Sequence, residues 1–237
     1  MNHLILIRHG QSKWNLEKKF TGWVDVDLTD QGRIEAEKAG NLIKEKKIVI
    51  NYFYSSLQLR ANKTLEIIQS ILNEKKGFTK AWQLNERHNG ALTGLSKVEM
   101  IRKLGEKKVH EFRRSWNIKP EPLNKESPYH PKNIETYNNI PKEKIPDTES
   151  LKDTYERVIS FYKQEIKDKL NKNNVLISAH GNSIRALCKY LFKLDEIQIS
   201  SLEIPTGNPL LINIENNHKI FKSEYLDKSR AKDLLIF

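Results

Sequence analysis

The chain has 237 residues, a formal net charge of +11 and one cysteine. That length can bury a full core, while a mean hydropathy of −0.66 without any long apolar run excludes a membrane-crossing helix, and the lone Cys188 excludes an internal disulfide or a cysteine-pair metal site. The basic balance favours anionic partners, but the lysines are scattered and alternate with glutamates, as at Lys44 to Lys47, so the placed arginines carry more information than the bulk charge. The apolar run near the start is too short for a secretory leader, and a cytoplasmic location is expected.

In chain order, Leu4-Ile5-Leu6-Ile7 is an unbroken apolar run suited to a strand covered on both faces. It stops at Arg8-His9-Gly10, which puts a permanent cation, a nucleophilic imidazole and a flexible backbone at one sheet edge, where open α/β sheets bind ligands. Asn15 to Asp27 has no period and reads as a loop across that strand's end. Thr29 is placed to cap a helix over Arg33 to Lys46, with Ala36, Ala39 and Ile43 on one face. Ile48 to Tyr54 is β-branched and aromatic, hence a second strand, and Ser55-Ser56 lead into a helix striped by Leu57, Ala61, Leu65, Ile68 and Leu72. Arg60 falls in its first turn, at the same edge as His9. Ala81 to Leu84 reads as a third strand, followed by Asn85-Glu86-Arg87-His88-Asn89-Gly90. Ser96 with Glu99 predicts a helix to about His110, ahead of Arg113 and Arg114.

Residues 117–147 are irregular and hold six of the eight prolines, the composition of a lid or substrate-facing excursion. Ser150 with Asp153 opens a helix striped by Leu151, Tyr155, Val158, Ile159, Tyr162 and Ile166. Val175 to Ile177 is a strand ending in Ala179-His180-Gly181-Asn182, with a helix of Ile184, Leu187 and Leu191 behind it. Leu210 to Ile214 and Lys219 to Tyr225 flank Asn216-Asn217 as a hairpin, and the polar tail Lys228 to Lys232 reads as mobile. Strands alternating with helices imply an α/β fold, a mostly parallel sheet with helices on both faces, as one domain over 1–237. The two strand-His-Gly junctions then share an edge.

The residues gathered there, Arg8, His9, Arg60, Glu86, Arg87 and His180 with Arg113 and Arg114, suit phosphoryl transfer through histidine. Neutral imidazole attacks phosphorus well, and arginine forks bind phosphate oxygens in pairs. Fixed cations stabilise the charge spread over the transferred group, and glycines after each histidine let backbone N–H groups approach. A protonated His180 would add charge, neighbouring cations would help keep His9 neutral, and Glu86, the sole acid at these junctions, suits a general acid and base. His3, His110, His130 and His218 read as surface or packing residues, and His88 as orienting its loop. Asp25, Asp27 and Asp30 read as turn and cap residues, so no metal site is expected.

These residues sit in longer matching stretches: RHGQSKWN at 8–15, TGWVDVDLTDQG at 21–32, LRA at 59–61, ERHNGALTGLSK at 86–97, RRSW at 113–116, TESLKDT at 148–154, AHGNSIRAL at 179–187 and IPTGNPL at 204–210. Through them the chain resembles, nearly end to end, the 2,3-bisphosphoglycerate-dependent phosphoglycerate mutases of the histidine phosphatase superfamily. RHG alone marks the superfamily; its combination with ERH, RRS, TESL and HGNS marks the mutases.

The resemblance implies a three-layer phosphoglycerate mutase-like sandwich that interconverts 3-phosphoglycerate and 2-phosphoglycerate, small phosphorylated three-carbon acids. It implies 2,3-bisphosphoglycerate as the priming phosphate donor, no metal, no nucleic-acid or membrane partner, and a homodimer or homotetramer. His9 corresponds to the phosphate carrier, with Arg8, Arg60 and His180 gripping the phosphoryl group and Glu86 handling the proton. Gly10, Ser12, Asn15, Thr21, Gly22, Arg87, Lys97, Arg113, Arg114, Gly181 and Asn182 correspond to substrate-binding positions. The chain departs from the family at Asn89, where a tyrosine is usual, and in a shorter 120–147 segment. Two other readings compete. A phosphatase of the same superfamily needs fewer clamps than Lys97, Arg113 and Arg114 provide. A basic nucleic-acid-binding module needs a basic stripe interleaved with aromatics, whereas the arginines here cluster at strand ends. A related bisphosphoglycerate synthase tends to carry glycine in place of Ser12.

Overall fold

The computed structural model describes residues 2–215 and 218–231. Strand β1 (Asn2–Arg8) leads into a single helical turn, α1 (Lys13–Leu16), then α2 (Asp30–Glu45), β2 (Tyr52–Ser55), α3 (Leu59–Ile71) and the two-residue β3 (Thr79–Lys80). Helices α4 (Lys97–Leu104) and α5 (Glu106–Arg114) precede the proline-rich segment. After it come α6 (Leu151–Phe161), β4 (Val175–Ala179), α7 (Gly181–Leu191), α8 (Glu196–Ser201), β5 (Leu210–Ile214) and β6 (Ile220–Tyr225). These strands form one six-stranded sheet, ordered β3-β2-β4-β1-β5-β6, in which β5 alone runs opposite to the other five.

The apolar run of β1 is unbroken because both its faces are covered. Leu4 and Leu6 pack with Val158 of α6 and with Ile184 and Leu187 of α7, whereas Ile5 and Ile7 pack with Ala39 and Ile43 of α2 and Leu65 and Ile68 of α3. All four strand residues are buried, each contributing roughly 1.5–3 kcal/mol by area removed from water. The parallel register pairs Arg8 with Ala179, and the His9 N–H donates to the Ala179 carbonyl at 3.0 Å. The register therefore brings the two strand-His-Gly ends side by side.

Several boundaries differ from the sequence reading, each for a local reason. The third strand is Thr79–Lys80; after a last ladder bond from Ala81 N to Ser55 O, the chain tightens into a 3-10 turn, Trp82–Leu84, that buries Leu84. The helix expected from Ser96 to His110 is broken at Gly105, whose φ of 82° is outside the helical region, and α5 then carries on to Arg114. Ser12 caps α1, whose last two residues, Asn15 and Leu16, fall at the start of the segment read as loop, and β2 starts at Tyr52 rather than Ile48. The proline-rich segment holds short 3-10 turns and buries Tyr137 and Ile140 against Trp23. Lys228–Arg230 forms an ordered 3-10 turn, which corrects the mobile-tail expectation up to that point; Lys232, like Asn216 and Asn217, lies outside the described residues.

Candidate active site

His9 sits just past the end of β1 and is 2% exposed. Its Nδ1 lies 2.7 Å from the Gly10 carbonyl oxygen, which can only accept, so Nδ1 carries the proton and Nε2 keeps its lone pair. The first turn of α3 presents Arg60, whose Nε donates to that Nε2 at 3.2 Å. The other Arg60 bonds are internal, to Val24 O and Gly22 O at 3.0 Å and to Gln58 Oε1 at 3.2 Å. The His180 ring stands 5.0 Å from the His9 ring, edge to face. His180 Nε2 meets Ser56 Oγ at 2.8 Å, and its buried Nδ1 has no partner among the described residues.

Burial lowers the pKa of both histidines well below the ordinary value; Arg60 and Arg8 add to this at His9, and Arg60, His9 and Arg8 at His180. Both shifts favour the neutral ring in the protein alone. Gly10 and Ser12 serve the floor rather than its surface. The Gly10 N–H donates to Thr64 Oγ1 at 3.1 Å, and a Cβ there would fall 2.1 Å from Gly32 O. Ser12 Oγ accepts from Asn15 N while Asn15 Oδ1 accepts from Ser12 N, both at 3.3 Å.

Over this floor opens a cavity of about 430 Å³. Of the residues singled out from sequence, it is lined by Arg8, Asn15, Thr21, Gly22, Glu86, Arg87, Lys97, Arg113, Arg114, Gly181 and Asn182. His9, Gly10, Ser12, Arg60 and His180 lie outside that lining, buried or packed below it. Arg113 and Arg114 reach the cavity because α5 runs on to its last turn there. Arg8 Nη1 donates to Ile204 O at 2.8 Å, yet Arg8 Nε is buried without a partner among the described residues, as are Arg87 Nε and Nη1. Burial also lowers Lys97 to about 8, helped by Arg113 and Arg8.

Glu86 accepts through Oε1 from the N–H groups of Arg87 at 2.8 Å and Asn182 at 3.2 Å, the latter in the first turn of α7. Its own N–H donates to Gln58 Oε1 at 2.9 Å. Its loop is held from behind by a buried ion pair: Arg157 contacts Glu149 at 2.7 Å and donates to the carbonyls of Gln83, Asn85 and Glu86. Glu149 in turn accepts from His88 N, and His88 Nδ1 accepts from Gly90 N, so His88 does orient its loop.

Sequence reading missed Arg185, Glu203 and Arg230, which also line the cavity. Arg185 looked like part of a core helix, although its place one turn beyond Gly181-Asn182 in α7 was a usable signal. Glu203 pairs with Arg114 at 3.1 Å, and Glu35 accepts from Gln11 N beside the same junction, so Glu86 is not the sole acid nearby. Arg230 hid in the polar tail; its guanidinium bonds to Asp227 and to the carbonyls of Thr206 and Gly207. Asn89 lines the cavity too, beside Gly22. A cationic cavity over paired, neutral imidazoles, with the Glu86 carboxylate at the side and Glu203 paired to Arg114, is built for transferring a phosphoryl group.

The pattern of the histidine phosphatase superfamily (branch 1) matches residues 4–133 and 124–225. A 2,3-bisphosphoglycerate-dependent phosphoglycerate mutase of Pelagibacter ubique (strain HTCC1062) is 69% identical over 238 residues, covering 100% of this chain and 100% of its own. One of Maricaulis maris (strain MCS10) is 45% identical over 237 residues, 99% of this chain and 98% of its own. Among solved structures, a mycobacterial glucosyl-3-phosphoglycerate phosphatase complexed with VO3 superposes with a TM-score of 0.68 over 95% of this chain and 97% of its own; at 20% identity it speaks to the fold alone. With the pattern, the full-length relatives and the fold in agreement, the chain belongs to the histidine phosphatase superfamily, branch 1, and within it to the 2,3-bisphosphoglycerate-dependent phosphoglycerate mutases.

Proposed function

We propose that the protein interconverts 3-phosphoglycerate and 2-phosphoglycerate through a phosphohistidine at His9 Nε2. The observation that carries this reading is a neutral, buried imidazole with Nε2 unprotonated, set beneath a cavity ringed by Arg8, Arg87, Lys97, Arg113 and Arg114. A single phosphate needs fewer cations; a substrate with a phosphate at one end and a carboxylate at the other uses both the floor and the rim. That surplus disfavours a phosphatase, in which water need only reach phosphorus.

The substrate hydroxyl oxygen attacks the phosphorus on His9, the P–N bond breaks, its electron pair returns to Nε2, and the hydroxyl proton passes to Glu86. After the doubly phosphorylated acid turns over, Nε2 attacks its other phosphorus and Glu86 returns the proton to the departing oxygen. Arg60 Nε, which donates to the free Nε2, is placed to donate to a phosphoryl oxygen once Nε2 is occupied. His180 Nδ1, which has no partner among the described residues, would do the same, and the added dianion favours its protonation. Asn15, Thr21, Gly22, Gly181 and Asn182 shape the surrounding wall, with Gly10 and Ser12 bracing it from below. The orphaned nitrogens of Arg8 and Arg87, with Lys97, Arg113 and Arg114, fit a bisphosphorylated acid. When bound, 2,3-bisphosphoglycerate supplies the first phosphoryl group to the chain. No metal enters this scheme. We further assign the enzyme to the cytoplasm as a homodimer or homotetramer, which sedimentation would check.

The test couples 2-phosphoglycerate formation to enolase, with and without 2,3-bisphosphoglycerate. Stimulation by the bisphosphate is expected; release of inorganic phosphate without stimulation would favour the phosphatase.

A further inference from the structure

Between the His9 side of the site and the Glu86 side lies one uncharged residue that neither lines the cavity nor takes part in the scheme above. Gln58 is 0% exposed and stands at the N-cap position of α3, yet its side chain does not cap that helix. It turns instead into the site. Its Oε1 accepts from Glu86 N at 2.9 Å and from Arg60 Nη2 at 3.2 Å, and its Nε2 donates to Gly22 O at 2.9 Å and to the Tyr137 hydroxyl at 3.2 Å. A primary amide offers two donors and two acceptor sites, and all four are used. The partners fix its orientation, since an N–H and a guanidinium can only donate and a carbonyl can only accept. Tyr137, whose hydroxyl donates to Trp23 O, anchors the far end from the proline-rich segment. Even the Gln58 backbone takes part: its N–H donates to Ser56 Oγ at 3.1 Å, the same oxygen that meets His180 Nε2.

We propose that Gln58 is a positioning residue that sets the spacing between the phosphoryl-bearing His9, reached through Arg60, and the proton-handling Glu86, reached through its backbone N–H. The inference rests on the phosphohistidine reading. Its physical content is that Arg60 in the first turn of α3 and Glu86 in a separate loop are tied to one rigid planar amide, so neither drifts relative to the other. Gly22, which Arg60 also contacts, is tied to the same amide.

The test separates transfer that needs a proton from transfer that does not, in full-length Gln58→Met, which keeps the length and removes all four bonds. A burst of p-nitrophenolate from p-nitrophenyl phosphate reports phosphorylation of His9 by a leaving group that needs no proton. Discharge of the phosphoenzyme onto 3-phosphoglycerate reports the step that needs Glu86. Because misplacement of about 1 Å can cost on the order of 100-fold, discharge is expected to slow by roughly ten- to 100-fold while the burst slows by no more than about threefold. Gln58→Glu keeps both acceptor bonds and is expected to discharge within about threefold of wild type, the bonds to Glu86 and Arg60 being the ones that position. Equal slowing of both steps, no slowing of either, or a Gln58→Glu discharge as slow as that of Gln58→Met would overturn the proposal. If Gln58→Met does not fold, Tyr137→Phe removes one anchor only: a smaller slowing confined to discharge supports the proposal, and parallel slowing or none overturns it. A wild-type protein with neither burst nor discharge would instead bring down the phosphohistidine reading itself.

Discussion

The floor and the rim of the cavity are built on opposite rules. On the floor, His9, Arg60 and Gln58 spend their hydrogen bonds on one another and on nearby backbone, so their geometry is complete without a ligand. On the rim, Arg8 and Arg87 keep buried N–H groups with no partner among the described residues, beside Lys97, Arg113 and Arg114. Buried, unsatisfied guanidinium nitrogens cost free energy in the protein alone, and an anion that satisfies them recovers it. The contrast teaches a division of labour: the floor holds the nucleophile still and neutral, while the rim is completed by substrate.

The comparison can be broken from either side. Glu86→Gln keeps the backbone bond to Gln58 but removes the proton acceptor, so kcat is expected to fall about 10²–10⁴-fold, measured in the enolase-coupled assay. Arg87→Ala acts on the rim; losing charge-assisted bonds worth about 1.5–3 kcal/mol is expected to lower kcat/KM by roughly ten- to 100-fold while a p-nitrophenolate burst persists. Lys97, held down to about 8 by burial and its arginine neighbours, is charged below that pH and neutral above it. Substrate binding is therefore expected to weaken as pH rises through about 8, and Lys97→Met should flatten that limb of the kcat/KM profile. The smallest effect belongs to Asn89, which lines the cavity beside Gly22; Asn89→Tyr is expected to lower KM by about two- to fivefold, and unchanged kinetics would remove Asn89 from the contact surface.

How much of this was legible in the sequence varied with what each residue answers to. The burial of Leu4 to Ile7 and the shared edge of His9 and His180 were readable because covered strands and parallel registers follow local rules. Arg113 and Arg114 were readable as candidates, but their arrival at the cavity depended on Gly105 dividing a helix that the Ser96 and Glu99 signal suggested was continuous. Gln58 and Arg157 escaped notice, and Glu149 was legible only as a letter in a matching stretch, since apart from the Gln58–Arg60 bond their contacts to the site run across gaps of 8 to 79 residues and no periodicity encodes such contacts. Arg230 escaped for a different reason: a polar tail looks alike whether it floats or docks, and only the Asp227 and Thr206 contacts decide. The downward shift of His180 was not legible either, because it comes from burial, which composition does not show, with Arg60, His9 and Arg8 adding to it.

The most direct test of the account is to treat the enzyme with 2,3-bisphosphoglycerate, quench in alkali and record the phosphorus NMR spectrum of the denatured protein. An acid-labile phosphohistidine substituted at Nε2 is expected, absent from His9→Ala, since His9 Nδ1 is committed to the Gly10 carbonyl. A phosphorylated species that survives His9→Ala, or one substituted at Nδ1, would contradict it.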